Sequence, residues 1–287
     1  MNIFLILIAY IILTPLTGGL LTGLDRIITA RMQSRIGPPL LQPFYDVAKL
    51  FSKENLVVRK AQNLFIIFHL LFLIVTGALF FCGGDFLLVV FAFALAGVFF
   101  ILGGYRTSSP YSHIGSEREL IQMMAYEPML IITAIGLYMT THSFNVFDIM
   151  SAGKPLLPQL LGIFLGFLFI LPIKMRKSPF DLSMSHHAHQ ELVKGITTEF
   201  SGPTLALLEI AHWFELILIL GIIILFFPNN VWLGLAVECA VFFLVILVDN
   251  TFARLRWQTV LKASWLATFI LGMGNIFILS ILKICHS

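Results

Sequence analysis

Eight stretches of roughly 18–25 residues run without dense charge, which is the length a helix needs to cross a hydrocarbon layer. They lie near 2–24, 64–82, 86–105, 117–141, 157–174, 203–227, 231–248 and 263–283. Segments so evenly apolar lack the alternation of a membrane barrel, so helix is the assignment that satisfies every backbone polar group inside a bilayer. With 59% hydrophobic residues and 28 Phe, the chain has too little polar surface to cover a soluble fold. The expected architecture is an all-α integral membrane protein of about eight transmembrane helices, with residues 1–287 as one polytopic domain. The N-terminal run has no Lys or Arg before Arg26. It is also too long for a signal-peptide core and reads as a retained first span.

Basic residues orient the chain. Sixteen of the 18 Lys and Arg fall in alternate loops, and only Lys154 and Lys283 fall on the other face. The positive-inside rule then places both termini outside and the four long loops in the cytoplasm. A multi-pass protein of the cell membrane is expected. The loops on the basic side are long and rich in Gly and Pro, whereas those opposite are mostly short. Long structured loops on one face mark function or a partner. In the first of them, "PFYDVAKLFSKENL" puts Phe44, Val47, Leu50 and Phe51 on one helical face and Asp46, Lys49 and Lys53 on the other. Such a helix either lies along the membrane surface or packs on another cytoplasmic protein.

Charge inside a span costs roughly 2.5–3.5 kcal/mol on insertion scales and asks for a reason. Glu127 sits about ten residues into the fourth span, or ~15 Å deep, and Pro128 follows it. That proline predicts a kink and a freed carbonyl beside the acid. Glu209, His212 and Glu215 recur every three residues in the sixth span, Glu238 lies deep in the seventh, and Glu119 marks the mouth of the fourth. As a set they read as a proton or ion path, since carboxylates in low dielectric exchange protons near neutral pH. The plainer alternative is that they are hydrogen-bonded between helices. For Asp249 an ion pair with Arg254 or Arg256 is the preferred reading, and for His69 a buried, hydrogen-bonded side chain.

The polar stretch "SPFDLSMSHHAHQELVKGITTEFSG" at 178–202 interrupts this apolar chain. His186, His187 and His189 lack the four-ligand set of a structural metal site and read as a partner contact or a proton acceptor. Asp181, Glu191 and Glu199 are either coupling residues or caps and surface pairs with Arg176, Lys177 or Lys194. Cys82, Cys239 and Cys285 are far apart, so the chain cannot hold an iron–sulfur cluster alone.

Three of these loops carry a resemblance. "DRIITARMQSRIGPPLLQPFYDVAKLFSKE", "GSERELIQMMAYEP" and "SPFDL…ELVKGITTEFSG" resemble the signature stretches of one membrane-protein family. It comprises the H-type membrane subunit of respiratory complex I, also numbered 1, and its counterparts in energy-converting [NiFe]-hydrogenases. "FARLRWQTVLKASW" is similar to the family's Arg-x-Arg segment before the last helix. The longer histidine-bearing loop and the abbreviated "GPPLLQPF" look most like the Ech-type branch, which works without quinone. The family pattern has a glutamate where His212 stands.

The resemblance implies a membrane subunit with no catalytic residue, metal or cofactor of its own, coupling ferredoxin and hydrogen chemistry in its partners to H⁺ or Na⁺ movement. Iron–sulfur clusters and the [NiFe] centre would belong to those partners. These are the hydrogenase large and small subunits, a ferredoxin-like iron–sulfur subunit and an antiporter-like membrane subunit, with the lipid bilayer around them and no nucleic acid. Docking would fall to Arg26, Arg31, Arg35, Asp46, Lys49, Arg118, His186, His187, His189, Arg254 and Arg256. The rival readings are the quinone-site subunit of a complex I-like enzyme, a secondary transporter, and a passive anchor.

Overall fold

The computed structural model describes residues 3–55, 60–180 and 195–286. Their order is α1 (Ile3–Met32), α2 (Gln42–Phe51), α3 (Lys60–Phe81), α4 (Phe86–Tyr105), α5 (Pro110–Thr141), α6 (Val146–Ser151), α7 (Leu161–Lys174), a 3₁₀ turn (Gly195–Thr197), α8 (Gly202–Ile224), α9 (Val231–Thr251), α10 (Trp257–Ala267), a π-helical turn (Thr268–Met273) and α11 (Gly274–His286). The helices start where local chemistry directs. Asp85 and Asn230 accept backbone N–H groups at the heads of α4 and α9, and Pro sits in the first turn of α2, α5 and α8, where its missing N–H is not needed.

Among the described residues, seven helices are long and apolar enough to cross a membrane, counting α10 through α11 as one. The fifth expected span, 157–174, is shorter than its apolar run. Pro155 and Pro158 hold the chain in turns until Leu160, leaving α7 with 14 residues, or ~21 Å. In the other direction, α1 continues past the expected end near 24 to Met32 and carries Asp25 and Arg26 on helix. The kink expected at Pro128 does not break the fourth span, because α5 is continuous from Pro110 to Thr141.

The loops segregate to two ends. At one end Gln33 donates to Asn250, Gln62 to the Glu199 carbonyl, Ser112 to the Ile196 carbonyl, and the Leu255 N–H to the Pro179 carbonyl. These bonds knit together the loops that hold nearly all the basic residues. At the other end Asp85 and Asn145 form an isolated bridge, and the Phe86 N–H donates to the Phe144 carbonyl.

Between the ends, close approach substitutes for the hydrophobic drive that lipid does not supply between helices. A Cβ on Gly18 of α1 would meet the Trp213 Cβ of α8 at 2.7 Å, and one on Gly166 of α7 would meet the Met129 Cε of α5 at 2.6 Å. The most enclosed spans are α5 and α8, each 61% buried over its most apolar window, against 11% for the last span. Glu119 of α5 and Glu215 of α8 therefore face protein.

α2 packs its apolar side on its own chain. Val47 is buried, and Phe44 and Leu50 pack with it against Ala206 and Trp213 of α8. Its inner face docks on its own chain, while Tyr45 and Phe51 are left exposed.

Candidate functional site

The site begins where α7 stops. The Arg176 N–H donates to the Ile173 carbonyl at 3.1 Å, and the Lys177 N–H to the Pro172 carbonyl at 2.9 Å. These two bonds close a Schellman turn, with Arg176 in the left-handed region at φ +52°. Glycine is the usual occupant there, and a side chain costs about 1–2 kcal/mol. The turn swings Arg176 inward, so Lys174, Arg176 and Lys177 point at acids on four other helices.

Arg176 donates to Glu119 Oε1 of α5 from Nη2 at 2.8 Å and from Nε at 3.2 Å, and its Nη1 lies 3.6 Å from Glu215 Oε2 of α8. Lys174 Nζ lies 2.7 Å from Glu215 Oε1, donates to the Tyr126 hydroxyl at 3.0 Å, and sits over the rings of Phe93 and Tyr126. All four charged side chains are under 9% exposed. Two cations facing two carboxylates leave the lattice neutral, which is how buried charge is tolerated. Burial pulls the Arg176 guanidinium down, but the charges of Glu119 and Glu215 outweigh it and hold it above its ordinary value.

His212 is the ambiguous member. Arg176 Nη1 lies 2.8 Å from its Nδ1, and Glu215 Oε2 lies 3.3 Å from the same nitrogen. Arginine only donates and an ionised carboxylate only accepts, so Nδ1 can serve one neighbour at a time. Without a proton it receives from Arg176; with one it donates to Glu215, and Nε2, 3.0 Å from the same Nη1, can then receive from Arg176.

Beside the lattice, Lys177 binds Asp25 of α1 at 2.5 Å and Asp249 of α9 at 3.2 Å. These two carboxylates raise the Lys177 ammonium against the pull of burial. The expected pairing of Asp249 with Arg254 or Arg256 is replaced by Lys177, because the turn after α7 brings that lysine to the end of α9. Arg176 is buried and Lys177 half-buried, both as members of the site.

Lys174, Arg176, Lys177, His212, Glu215, Asp25 and Asp249 wall a cavity of about 830 Å³ that also reaches Arg26, Arg35, Glu209 and Arg254. Ten of its 23 lining residues carry charge, whereas pockets for apolar ligands are lined mainly by hydrophobic side chains.

Among the expected path residues, Glu119, His212 and Glu215 converge on Arg176, and Glu209 lines the cavity. Glu127 is apart. It is half-buried, and its Oε1 is enclosed with no hydrogen-bond partner. Glu238 is half-buried on α9 and joins none of these pairs, while Glu199 contributes its backbone carbonyl to Gln62. His69 is buried with Nδ1 2.8 Å from the Ala96 carbonyl, as its position in an apolar span implied.

Of the expected docking residues, Arg26 and Asp46 bind each other at 2.6 Å, and Arg31, Arg35, Lys49, Arg118 and Arg256 are exposed. Asp181, His186, His187, His189 and Glu191 lie outside the described residues. Lys174, Tyr126 and Asp25 were not singled out from the sequence. The signal available was the run "KMRK" directly after Pro172 and Ile173, three cations at a span's end with acids only on other helices.

Comparison with known proteins identifies the setting. The family profile described as NADH dehydrogenase matches residues 3–280, so the chain belongs to that family. It is 30% identical to hydrogenase-4 component C of Escherichia coli (strain K12), covering 93% of this chain and 92% of that one. It is 29% identical to the H subunit of NADH-quinone oxidoreductase from Bacillus cytotoxicus, covering 97% and 92%. Among solved structures it resembles a chain of the membrane-bound sulfane sulfur reductase, an archaeal respiratory membrane complex, with a TM-score of 0.83, 26% identity and coverage of 96% and 99%. The protein is thus a complex I-like membrane subunit, and its relatives are parts of multi-subunit respiratory complexes.

Proposed function

We propose that this member of the NADH dehydrogenase family is the integral membrane subunit of an ion-translocating, membrane-bound hydrogenase of the Ech type. It would seat the hydrogenase large and small subunits and a ferredoxin-like iron–sulfur subunit on its basic loops, beside an antiporter-like membrane neighbour. Redox groups would stay in those partners, and this chain would turn their electron transfer into H⁺ or Na⁺ movement. The positive-inside count supports a cytoplasmic position for the basic end.

The observation that carries the reading is the neutral lattice of Glu119, Arg176, Glu215 and Lys174, opening on a charged cavity at the loop end. Coupling needs an element with two states, and the His212 imidazole, with its proton on Nδ1 towards Glu215 or off Nδ1, would be that element. A charge change above the cavity would bias which neighbour Nδ1 serves. Glu127, with no cation within ion-pair distance, would be the acid that exchanges its proton, and Glu215 the fixed charge.

The size of the cavity favours a second reading, the quinone-site subunit of a complex I-like enzyme. Its ten charged lining residues weigh against an isoprenoid occupant.

Purification through a tag on this chain, with metal and quinone analysis, tests the choice. Nickel and iron, with hydrogen evolution from reduced ferredoxin, are expected. Iron and flavin with bound quinone and no nickel would overturn the hydrogenase reading in favour of the second. A lone, metal-free protein would overturn both and return the chain to a transporter role.

A further inference from the structure

A second cavity, of about 300 Å³, lies under α2 between α1 and α8. Arg26, Glu209 and Trp213 line both cavities and so form the wall between them. The rest of its lining is of two kinds, the apolar Pro43, Val47, Leu50 and Leu205, and the charged Asp46, Lys49 and Lys53.

Its charges are not balanced. Asp46 is already engaged, because Arg26 Nη1 donates to its Oδ2 at 2.6 Å and Gln42 Nε2 to its Oδ1 at 2.9 Å. Lys49 and Lys53 are exposed and have no carboxylate within ion-pair distance among the described residues. Two ammonium groups thus face one edge of the space, with Glu209 as the only other acid in its lining.

Location restricts the occupant. α2 lies at the end of the bundle where the basic loops gather, at the level where spans leave hydrocarbon. Tyr45 and Phe51 are exposed on its outer face, the kind of aromatic side chain that settles among lipid headgroups. Leu16 and Leu24 of α1 and Leu41, just before α2, are also exposed, offering apolar surface beside the cavity. Basic pockets between helices at this depth recognise anionic headgroups. The volume suits a headgroup, with the acyl chains outside against α1.

We infer that the α1–α2–α8 cavity binds the phosphodiester headgroup of one anionic phospholipid, held by Lys49 and Lys53 and pinning α2 to the bilayer. The inference needs only that the spans sit in a membrane. It is independent of the hydrogenase reading, so either can fail alone.

The test uses the purified protein with its natural partners, returned to nanodiscs of phosphatidylcholine with a minor share of phosphatidylglycerol. Bound lipid is then counted by native mass spectrometry. One phosphatidylglycerol per chain is expected to survive detergent release. The double variant Lys49→Gln, Lys53→Gln should lower that retention at least tenfold, while Lys262→Gln, which removes an exposed charge on another helix, should leave it unchanged. Co-elution of the double variant with its partners shows that it has folded. Equal retention in the double variant, equal retention of phosphatidylcholine, or an equal loss with Lys262→Gln would each overturn the site. Displacement of the lipid by millimolar inorganic phosphate would assign the same cations to a free anion and overturn the lipid source.

Discussion

Two carboxylates enter the same membrane region and meet opposite environments. Glu215 on α8 is 7% exposed and lies within 4 Å of a lysine, an arginine and a histidine. Glu127 on α5 keeps one enclosed oxygen with no partner. Their local sequences, "HWFEL" and "AYEPM", do not hint at the difference. It arises because the turn after α7 aims Lys174 and Arg176 at Glu215 and Glu119. A carboxylate held by two cations is a structural charge, whereas one with no cation at ion-pair distance among the described residues gains or loses a proton more cheaply. The two should therefore fail in different ways when they are removed.

The largest failure is expected at the lattice. Arg176→Met removes the buried guanidinium that Glu119 and Glu215 share, and breaking a buried pair costs about 3–5 kcal/mol. Thermal unfolding in detergent should shift down sharply and yield should fall. Adding Glu119→Gln removes the buried negative charge that faced Arg176 and should restore part of the loss. If Arg176→Met alone unfolds with the wild type, the lattice is not structural and the contrast with Glu127 collapses.

Glu127→Gln sharpens the contrast from the other side. No ion pair is lost, so stability should stay within about 0.5 kcal/mol of wild type, as for substitutions that break no such feature. Ion movement by the reconstituted complex should fall at least tenfold while its redox turnover continues. Normal pumping in Glu127→Gln would remove it from the path and leave the passive-anchor reading standing for that residue.

Much of the fold was legible in advance because span-length apolar runs have one physical solution in a bilayer. The all-helical class, the amphipathic α2 and the buried His69 follow from residue pattern alone. The short α7 was harder, since Leu156 and Leu157 extend its apolar run while Pro158 denies the backbone a helix. At the site, sequence marked each acid but not its partner. Spacing along one helix brings His212 to Glu215, yet the Arg176–Glu119 pair joins residues 57 apart. It depends on a left-handed turn at a residue that is not glycine, and nothing in the local sequence announces that. Lys174 and Arg176 read as topology markers for the same reason: cations at a span's end ordinarily face water.

The smallest effect belongs to the pair made from the same chemistry at the surface. Arg26 and Asp46 lie 2.6 Å apart, but their side chains are 39% and 40% exposed. Water and salt screen such a pair, so it is worth less than about 1 kcal/mol. Partial burial pushes the Asp46 carboxyl up, yet hydrogen bonds from Arg26 and Gln42 and the charges of Arg26 and Lys49 hold it below its ordinary value of 3.8. A depressed carboxylate contributes stability that is fully present above its unfolded pKa and lost as pH falls through the folded one. Docking of α2 on α1 should therefore be flat from about pH 8 to 5 and loosen only below the ordinary carboxylate range. Amide exchange over 42–51, compared between wild type and Asp46→Asn, reads this directly. The two should differ slightly near neutral pH and converge in acid. A difference at neutral pH as large as that of Arg176→Met would mean that exposure does not separate the two kinds of pair.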